Sequence, residues 1–163
     1  MRKKLGVAVC LVAVLALGTA ACGKSKKSSS SSGTTTTTAA TAAAQVTKGD
    51  KSSFYLAATP QSGDGKTVKV DTATFTGTKG WVAIHSDAGG APGPVIGVSK
   101  LLDAGTASDI VINLDKPLTA TAKVFPMLHL EDNNNTTYDF PNGDAPAKVG
   151  ADVVVLPIEI TVS

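Results

Sequence analysis

Cysteine is almost absent from the sequence, which has Cys10 and Cys22 and no other among its 163 residues. Small exported domains are often held together by disulfide bonds, and the stretch after residue 22 has no thiol from which to make one. The same absence excludes a cysteine nucleophile and a blue copper centre from that stretch, because both need a thiolate. Any site beyond residue 22 therefore has to use other side chains.

Aromatic side chains and clustered positive charge are also scarce. One Trp, two Tyr and four Phe can form only a small sugar-stacking surface. Six of the fifteen basic residues precede residue 28, whereas all thirteen acidic residues follow residue 44, where nine Lys remain and the net charge is −4. No basic patch with interleaved aromatic residues occurs, so the sequence excludes nucleic acid as a partner.

The first 21 residues have the pattern of a secretory signal peptide. Arg2, Lys3 and Lys4 are followed by 17 uncharged residues, 5–21, which are rich in Leu, Val and Ala and end in small residues. The alternative is an uncleaved membrane anchor, but a spanning helix needs about 20 apolar residues. We therefore predict a signal peptide over residues 1–21 and export from the cytoplasm.

The residues around Cys22 predict a lipid anchor. Thr19-Ala20-Ala21-Cys22-Gly23 resembles the lipobox of bacterial lipoproteins, although Thr19 stands where Leu is commonest. The resemblance implies that Cys22 carries a diacylglyceryl group and that the chain is anchored to the extracytoplasmic face of the cell membrane. Two acyl chains are enough for stable attachment. The alternative is an ordinary signal peptide that happens to contain a cysteine.

Residues 22–52 have the composition of a flexible tether. Ser28–Ser32 is all serine, Thr34–Thr38 is all threonine, and Ala39–Ala44 is almost all alanine. Such a stretch buries no large apolar side chain, so nothing offsets the entropy lost on ordering it. A coil of this length spans about 30 Å on average. The alternative is a stalk stiffened by O-linked sugars.

Residues 53–163 read as a single all-β domain. Asp109 to Asp115 alternates, with Ile110, Ile112 and Leu114 predicted to share one face. No segment shows a helical stripe longer than about two turns. Six to eight short strands separated by Gly, Pro, Asn and Asp favour a β-sandwich of immunoglobulin-like type. The predicted strands are Phe54–Ala58, Thr67–Phe75, Trp81–Asp87, Val95–Leu102 (ambiguous), Asp109–Asp115, Thr119–Leu130 and Val153–Val162.

Two strands carry more specific predictions. In the strand over residues 67–75, alternation predicts that Thr72 shares a face with Val68 and Val70. In the strand over residues 119–130, Pro126 predicts an edge or bulge position, because proline cannot donate to a β-ladder.

Five blocks stand out within this domain: Trp81–Ser99, Leu101–Gly105, Leu114–Leu118, Pro126–His129 and Tyr138–Phe140. Together they resemble an uncharacterised extracellular β-domain that recurs in surface proteins of haloarchaea and in some bacterial lipoproteins. The resemblance covers Lys66 to Ser163 and implies a β-sandwich outside the cell. That family is a domain of unknown function, so the resemblance implies no catalytic residue.

The two histidines predict a metal site. Each is followed two residues later by an acid, in His85-Ser-Asp87 and His129-Leu-Glu131. Residues i and i+2 share a face of a strand, so two paired strands would bring together a ligand set for zinc or another divalent metal. Met127 would add a soft ligand for copper. The alternative is that these are ordinary residues at strand ends.

An Asp/Asn-rich segment resembles a degraded calcium loop. Asp132, Asn134 and Thr136 occupy alternating positions, and Asp139 is a further oxygen donor, but the glycine and the final glutamate of such loops are missing. The alternative is a polar turn whose residues tolerate left-handed backbone conformations.

Catalytic patterns are missing from the predicted domain. Ser99 lacks the second glycine of a nucleophile elbow, and no Ser-x-x-Lys pair occurs. We therefore predict a non-enzymatic, membrane-anchored module that binds an envelope protein or glycan or has a structural role. The alternatives are a metal-binding lipoprotein and, third, an enzyme, which a sandwich fold does not forbid.

Overall fold

The computed structural model describes residues 43–163, which fold into eleven β-strands. The predictions for the signal peptide and for Cys22 concern residues outside this range. Within it there is no helix long and apolar enough to cross a membrane. The strands are β1 (Val46–Gly49), β2 (Phe54–Ala58), β3 (Gln61–Gly63), β4 (Thr67–Phe75), β5 (Gly80–Asp87), β6 (Pro92–Val98), β7 (Gly105–Asn113), β8 (Ala122–Leu130), β9 (Lys148–Val149), β10 (Asp152–Val153) and β11 (Ile158–Val162).

Nine of these strands form two sheets packed face to face. One sheet has the order β1-β2-β4-β7, and the other has the order β3-β11-β8-β5-β6, while β9 and β10 form a short hairpin. Neighbouring strands are antiparallel except β3 and β11, which are parallel. The predicted all-β sandwich is confirmed, with eleven strands where six to eight were predicted.

Aliphatic side chains from both sheets fill the space between them. The predicted alternation in β7 is confirmed: Ile110 and Ile112 are buried, whereas Val111 is 62% exposed. Because successive side chains of a strand point to opposite faces, each long strand contributes one apolar row to the core. The core includes Leu56, Val68, Val70, Ala73, Phe75, Val82, Ile84, Val124, Leu128, Leu156, Ile158 and Ile160.

The folded part begins earlier than the composition predicted. We assigned residues 22–52 to the tether, but β1 lies within that range and pairs with β2 from Val46↔Ala58 to Gly49↔Tyr55. Val46 also packs against the core. The strand is held mainly by backbone hydrogen bonds at a sheet edge, and composition carries no signal for such bonds.

The side-chain alternation of β4 shifts by one residue along the strand. Thr72 was predicted to lie with Val68 and Val70, but Ala73 and Phe75 are the residues that join the core there. The shift occurs at Asp71, the one position of β4 between Thr67 and Phe75 without a partner on β7. Opposite it, Asp109 has a φ of 52°, a left-handed conformation that turns the partner strand.

The prediction of an edge or bulge position for Pro126 is wrong. Pro126 pairs with Ile84 within β8, an interior strand of its sheet. The ladder with β11 covers only residues 122–124 of β8, and beyond it the Pro126 carbonyl accepts a hydrogen bond from Leu156 N. Proline is tolerated because its missing N–H falls where the regular ladder with β11 has ended.

Candidate metal centre

The face of the five-stranded sheet that points away from the core carries a second buried layer, which we call the outer face. Core residues Val82, Ile84 and Leu128 point inward, so strand alternation puts their neighbours on the outer face. Along β5 and β8 that face is buried too, although it lies outside the sandwich core. Its members on β5 and β8 are Trp81, Ala83, His85, Phe125, Met127 and His129.

Residues 131–144, which we call the roof loop, supply aromatic rings that cover the histidines. Phe140 meets His129 edge to face at a centroid distance of 4.8 Å and His85 at 6.4 Å. Tyr138 contacts His129 at 5.4 Å and Trp81 at 6.0 Å. His129 is fully buried and His85 is 4% exposed.

The two histidines meet nitrogen to nitrogen. Their Nε2 atoms are 3.4 Å apart, whereas the ring centroids are 5.6 Å apart and the ring planes are inclined by only 16°. The centroids are farther apart than the nitrogens by close to two ring radii, which is the difference expected when each nitrogen lies on the line that joins the two ring centres. The rings therefore lie nearly end to end, and the two Nε2 atoms point at each other.

Backbone carbonyls fix the tautomer of both rings. Nδ1–H of His85 donates to the carbonyl oxygen of Gly93, and Nδ1–H of His129 donates to that of Asp144, each over 2.7 Å. A carbonyl oxygen can only accept, so the proton of each neutral imidazole is on Nδ1. Two unprotonated Nε2 lone pairs then face each other, an arrangement that a shared proton or a metal cation would satisfy.

A β-bulge positions His85 and its carbonyl partner. The pairing of β5 with β6 shifts register on both sides of His85, which lies opposite Val95. Bulges of this kind re-aim a side chain and increase the local twist. Here the bulge brings the Gly93 carbonyl within hydrogen-bonding distance of the imidazole.

The roof loop fixes the carbonyl that holds His129. The two carboxylate oxygens of Asp132 accept hydrogen bonds from Asp144 N and Ala145 N, each over 3.0 Å. Asp144 Oδ2 in turn accepts from Asp139 N over 2.8 Å. Asp144 has a φ of 53°, and these bonds stabilise that conformation. The polar loop therefore orients an imidazole in the buried layer beneath it.

Burial shifts the ionisation of three groups in this layer. Desolvation lowers the pKa of His129 to about 4, with a further lowering from the charge of His85 and an opposing effect of the Asp144 carbonyl. Burial raises the pKa of Tyr138, and the Asp144 charge adds to that rise. Burial likewise raises the pKa of Asp144. The layer thus favours a neutral His129 imidazole, the form that binds metals.

The two predicted carboxylate ligands do not group with the imidazole pair in residues 43–163. Asp87 accepts a hydrogen bond from Gly90 N over 2.6 Å and so belongs to the turn after β5. Glu131 is the first residue after β8, and both of its carboxylate oxygens are buried without a hydrogen-bond partner in the described part of the chain. In residues 43–163, no three His, Cys, Asp or Glu side chains group to hold a metal ion. The structure therefore brings His85 and His129 together but does not assemble the predicted set of two histidines and two carboxylates.

The oxygens of the calcium-like segment have internal partners. The carboxylate of Asp132 accepts from two backbone amides, and the carboxylate of Asp139 accepts from the side-chain amides of Asn133 and Asn135. Asn134 and Thr136 both adopt left-handed backbone conformations. These contacts are typical of a self-capped polar loop. Calcium binding by Asp132, Asn134, Thr136 and Asp139 stays a prediction.

Sequence reasoning missed the second half of this site. The motif analysis assigned no role to Phe140 or Tyr138, which cover the imidazoles, nor to the carbonyls of Gly93 and Asp144, which orient them. A carbonyl leaves no mark on the sequence. The one available signal was the pair of aromatic residues that ends the Asn-rich segment.

Comparison with known proteins places the domain in a family. Cell surface glycoprotein 2 of Haloarcula hispanica is 38% identical over 108 residues, and cell surface glycoprotein 1 of the same organism is 36% identical over 107 residues. Each match covers 66% of this chain and 11% of the relative, so the chain spans about a tenth of their length. No solved structure matches the chain. The model of the family described as a domain of unknown function, DUF7282, matches residues 55–161, and the chain therefore belongs to that family.

Proposed function

We propose that the chain is a lipid-anchored module displayed outside the cell, with a structural or binding role at the envelope and no catalytic one. The names of the two relatives, both cell surface glycoproteins, support display at a surface. The secretory pattern of residues 1–21 supports export. An envelope protein or glycan is the partner class that fits such a location.

Cys22 is the observation that carries the anchoring proposal. It directly follows the uncharged run and two alanines, and no cysteine follows it in the sequence. The low-complexity stretch after it would hold the β-sandwich about 30 Å from the membrane. Lys24, Lys26 and Lys27 would favour anionic lipid headgroups next to the anchor.

Metabolic labelling with a fatty acid tests the anchor. We expect the wild-type chain to carry the label and to sediment with membranes, and we expect Cys22→Ser to lose both properties. Cys10→Ser is the matched control, because Cys10 lies inside the predicted signal and should leave labelling unchanged. Full labelling of Cys22→Ser would contradict the proposal.

A second function, binding of a metal cation by His85 and His129, is supported by the facing Nε2 atoms. Both imidazoles donate Nδ1–H to a carbonyl, which is the usual arrangement around metal-bound histidines. Metal analysis of chain purified without chelator or histidine tag tests this function. We expect metal in the wild-type chain and its loss in the double variant His85→Ala/His129→Ala. Equal metal content in the two proteins would exclude the site.

A further inference from the structure

We propose that the imidazole pair binds Cu(I), a soft cation of single charge, between the Nε2 atoms of His85 and His129, with the Met127 thioether as a third ligand. The inference rests on the metal-binding function proposed above and names the metal. The separation of the two nitrogens fits a three-coordinate ion, and the number of ligands and the position of Met127 favour Cu(I).

The separation of the two nitrogens fits a three-coordinate ion. The Nε2 atoms are 3.4 Å apart. An ion bound to both at about 2.0 Å would therefore lie about 1 Å off the line between them, with an N–metal–N angle of about 120°. That angle is typical of trigonal coordination, and it leaves a third position for a soft ligand.

The number of ligands and the burial oppose a divalent ion. Structural zinc sites use four protein ligands, whereas the described residues 43–163 offer two imidazoles without a third His, Cys, Asp or Glu grouped with them. Two neutral imidazoles and a thioether supply no negative charge to a doubly charged ion, so these ligands do little to offset the cost of burying it. A singly charged ion bound by two neutral nitrogens has a smaller desolvation cost.

Met127 lies at the right place for a third, soft ligand. The register of β5 and β8 pairs Trp81 with His129, then Ala83 with Met127, then His85 with Phe125. Met127 therefore occupies the outer face midway between the two histidines, opposite the small side chain of Ala83, and it is buried. Thioether sulfur selects Cu(I) over harder cations.

A competition titration under anaerobic conditions tests the proposal on the full chain. Cys10 and Cys22 are first alkylated, so that their thiols do not bind the metal. A Cu(I) salt is then shared between the protein and bicinchoninate, a chromophoric Cu(I) chelator. We expect one Cu(I) per chain. His85→Ala and His129→Ala should each weaken binding by more than the 10–100-fold that loss of an outer-shell partner costs.

A direct spectroscopic measurement keeps the test independent of whether the variants fold. On adding one equivalent of Cu(I) to wild-type chain, the ¹⁵N resonances of both Nε2 atoms should shift strongly, and those of the Nδ1 atoms should shift little. Unchanged Nε2 resonances would overturn the proposal, whatever the variants do.

Parallel titration with Zn(II) separates the two levels of inference. Tighter binding of Zn(II) than of Cu(I), abolished in the double histidine variant, would leave metal binding standing and overturn the assignment to Cu(I). If neither cation binds the wild-type chain more tightly than the double variant, both proposals fail, and a shared proton satisfies the nitrogen pair instead.

Discussion

Along β5 and β8 the two faces of the five-stranded sheet are both buried, but by different means. The inner face contributes aliphatic side chains such as Val82, Ile84 and Leu128 to the sandwich core. The outer face carries imidazole and aromatic rings and is covered by a polar loop rather than by a second sheet. One sheet therefore supports two layers of unlike chemistry.

The comparison separates what stabilises the fold from what shapes the site. Aliphatic burial is non-directional, so the inner face needs the right volume more than a particular geometry. The outer face and the roof loop depend on directed hydrogen bonds, and some of their polar atoms are buried without a protein partner in the described part of the chain: Trp81 Nε1, Tyr138 OH, Asp144 Oδ1 and both carboxylate oxygens of Glu131. Such groups cost stability, which is consistent with a functional rather than a structural layer.

Removing bulk from the inner face should have the largest effect on stability. Leu128 is fully buried in the core, and Leu128→Ala should lower the free energy of unfolding by about 2–5 kcal/mol, because a cavity replaces packed methyl groups. Urea denaturation measures the loss. Val111→Ala, at the most exposed aliphatic site of β7, is the control and should change stability by less than about 0.5 kcal/mol. Equal losses in the two variants would contradict this assignment of the core.

Acid should weaken the outer face next most strongly. His129 has a pKa of about 4 in the folded protein against 6.5 unfolded, so between these values the unfolded chain binds a proton that the folded chain does not. Stability is therefore complete above pH 6.5 and falls by about 3 kcal/mol as the pH drops to 4. The titratable groups that face His129 are His85 on β5 and Tyr138 and Asp144 on the roof loop.

Urea denaturation of metal-free protein at several pH values checks this prediction. His129→Gln keeps a polar side chain but does not titrate in this range, so it should flatten the pH dependence between 6.5 and 4. A wild-type chain whose stability does not change over that range would show that His129 is not buried in its neutral form.

Releasing the roof loop should have a smaller effect. Asp132→Ala removes the acceptor for Asp144 N and Ala145 N, and we expect a loss of about 2 kcal/mol, since two hydrogen bonds to a charged group disappear near solvent. The Nδ1–H proton of His129 should also exchange faster, as measured by NMR. Asp115→Ala, at an exposed position, is the control. Unchanged exchange in Asp132→Ala would mean that the Asp144 carbonyl is held by other contacts.

The inner face could be predicted from the sequence, and the outer face only in part. Alternation of Ile110, Ile112 and Leu114 identified a core row, because burial of one face imposes a period of two. The His-x-acid spacing drew attention to His85 and His129, whose rings the fold does bring together. It also predicted that Asp87 and Glu131 would join them, but no group of three such ligands forms in residues 43–163, and Asp87 lies next to the bulge of β5, where the i, i+2 rule for a regular strand does not apply.

Tertiary neighbours account for what the sequence did not reveal. Nothing in the order of residues shows that β5 pairs with β8, because 44 positions of sequence separate His85 from His129. The same is true of Pro126, which is tolerated because of where the ladder with β11 ends. Contacts of long sequence separation depend on the whole fold, and local patterns carry no record of them.

The most conservative change on the outer face should separate stability from function. Met127→Leu keeps the volume and apolar character of a buried side chain. We therefore expect it to change stability by less than about 1.5 kcal/mol, which is less than the effects expected of Leu128→Ala, of acid and of Asp132→Ala. Loss of the sulfur should nonetheless weaken Cu(I) binding by about tenfold, equivalent to 1.4 kcal/mol of binding free energy, and leave any weaker Zn(II) binding unaltered. Urea denaturation and bicinchoninate competition on one sample measure both effects.

If Cu(I) affinity is unchanged in a folded Met127→Leu variant, the thioether serves only in packing, and the two imidazoles alone define the metal centre. If stability falls as far as in Leu128→Ala, the outer face is a second core, and the distinction between the two faces fails.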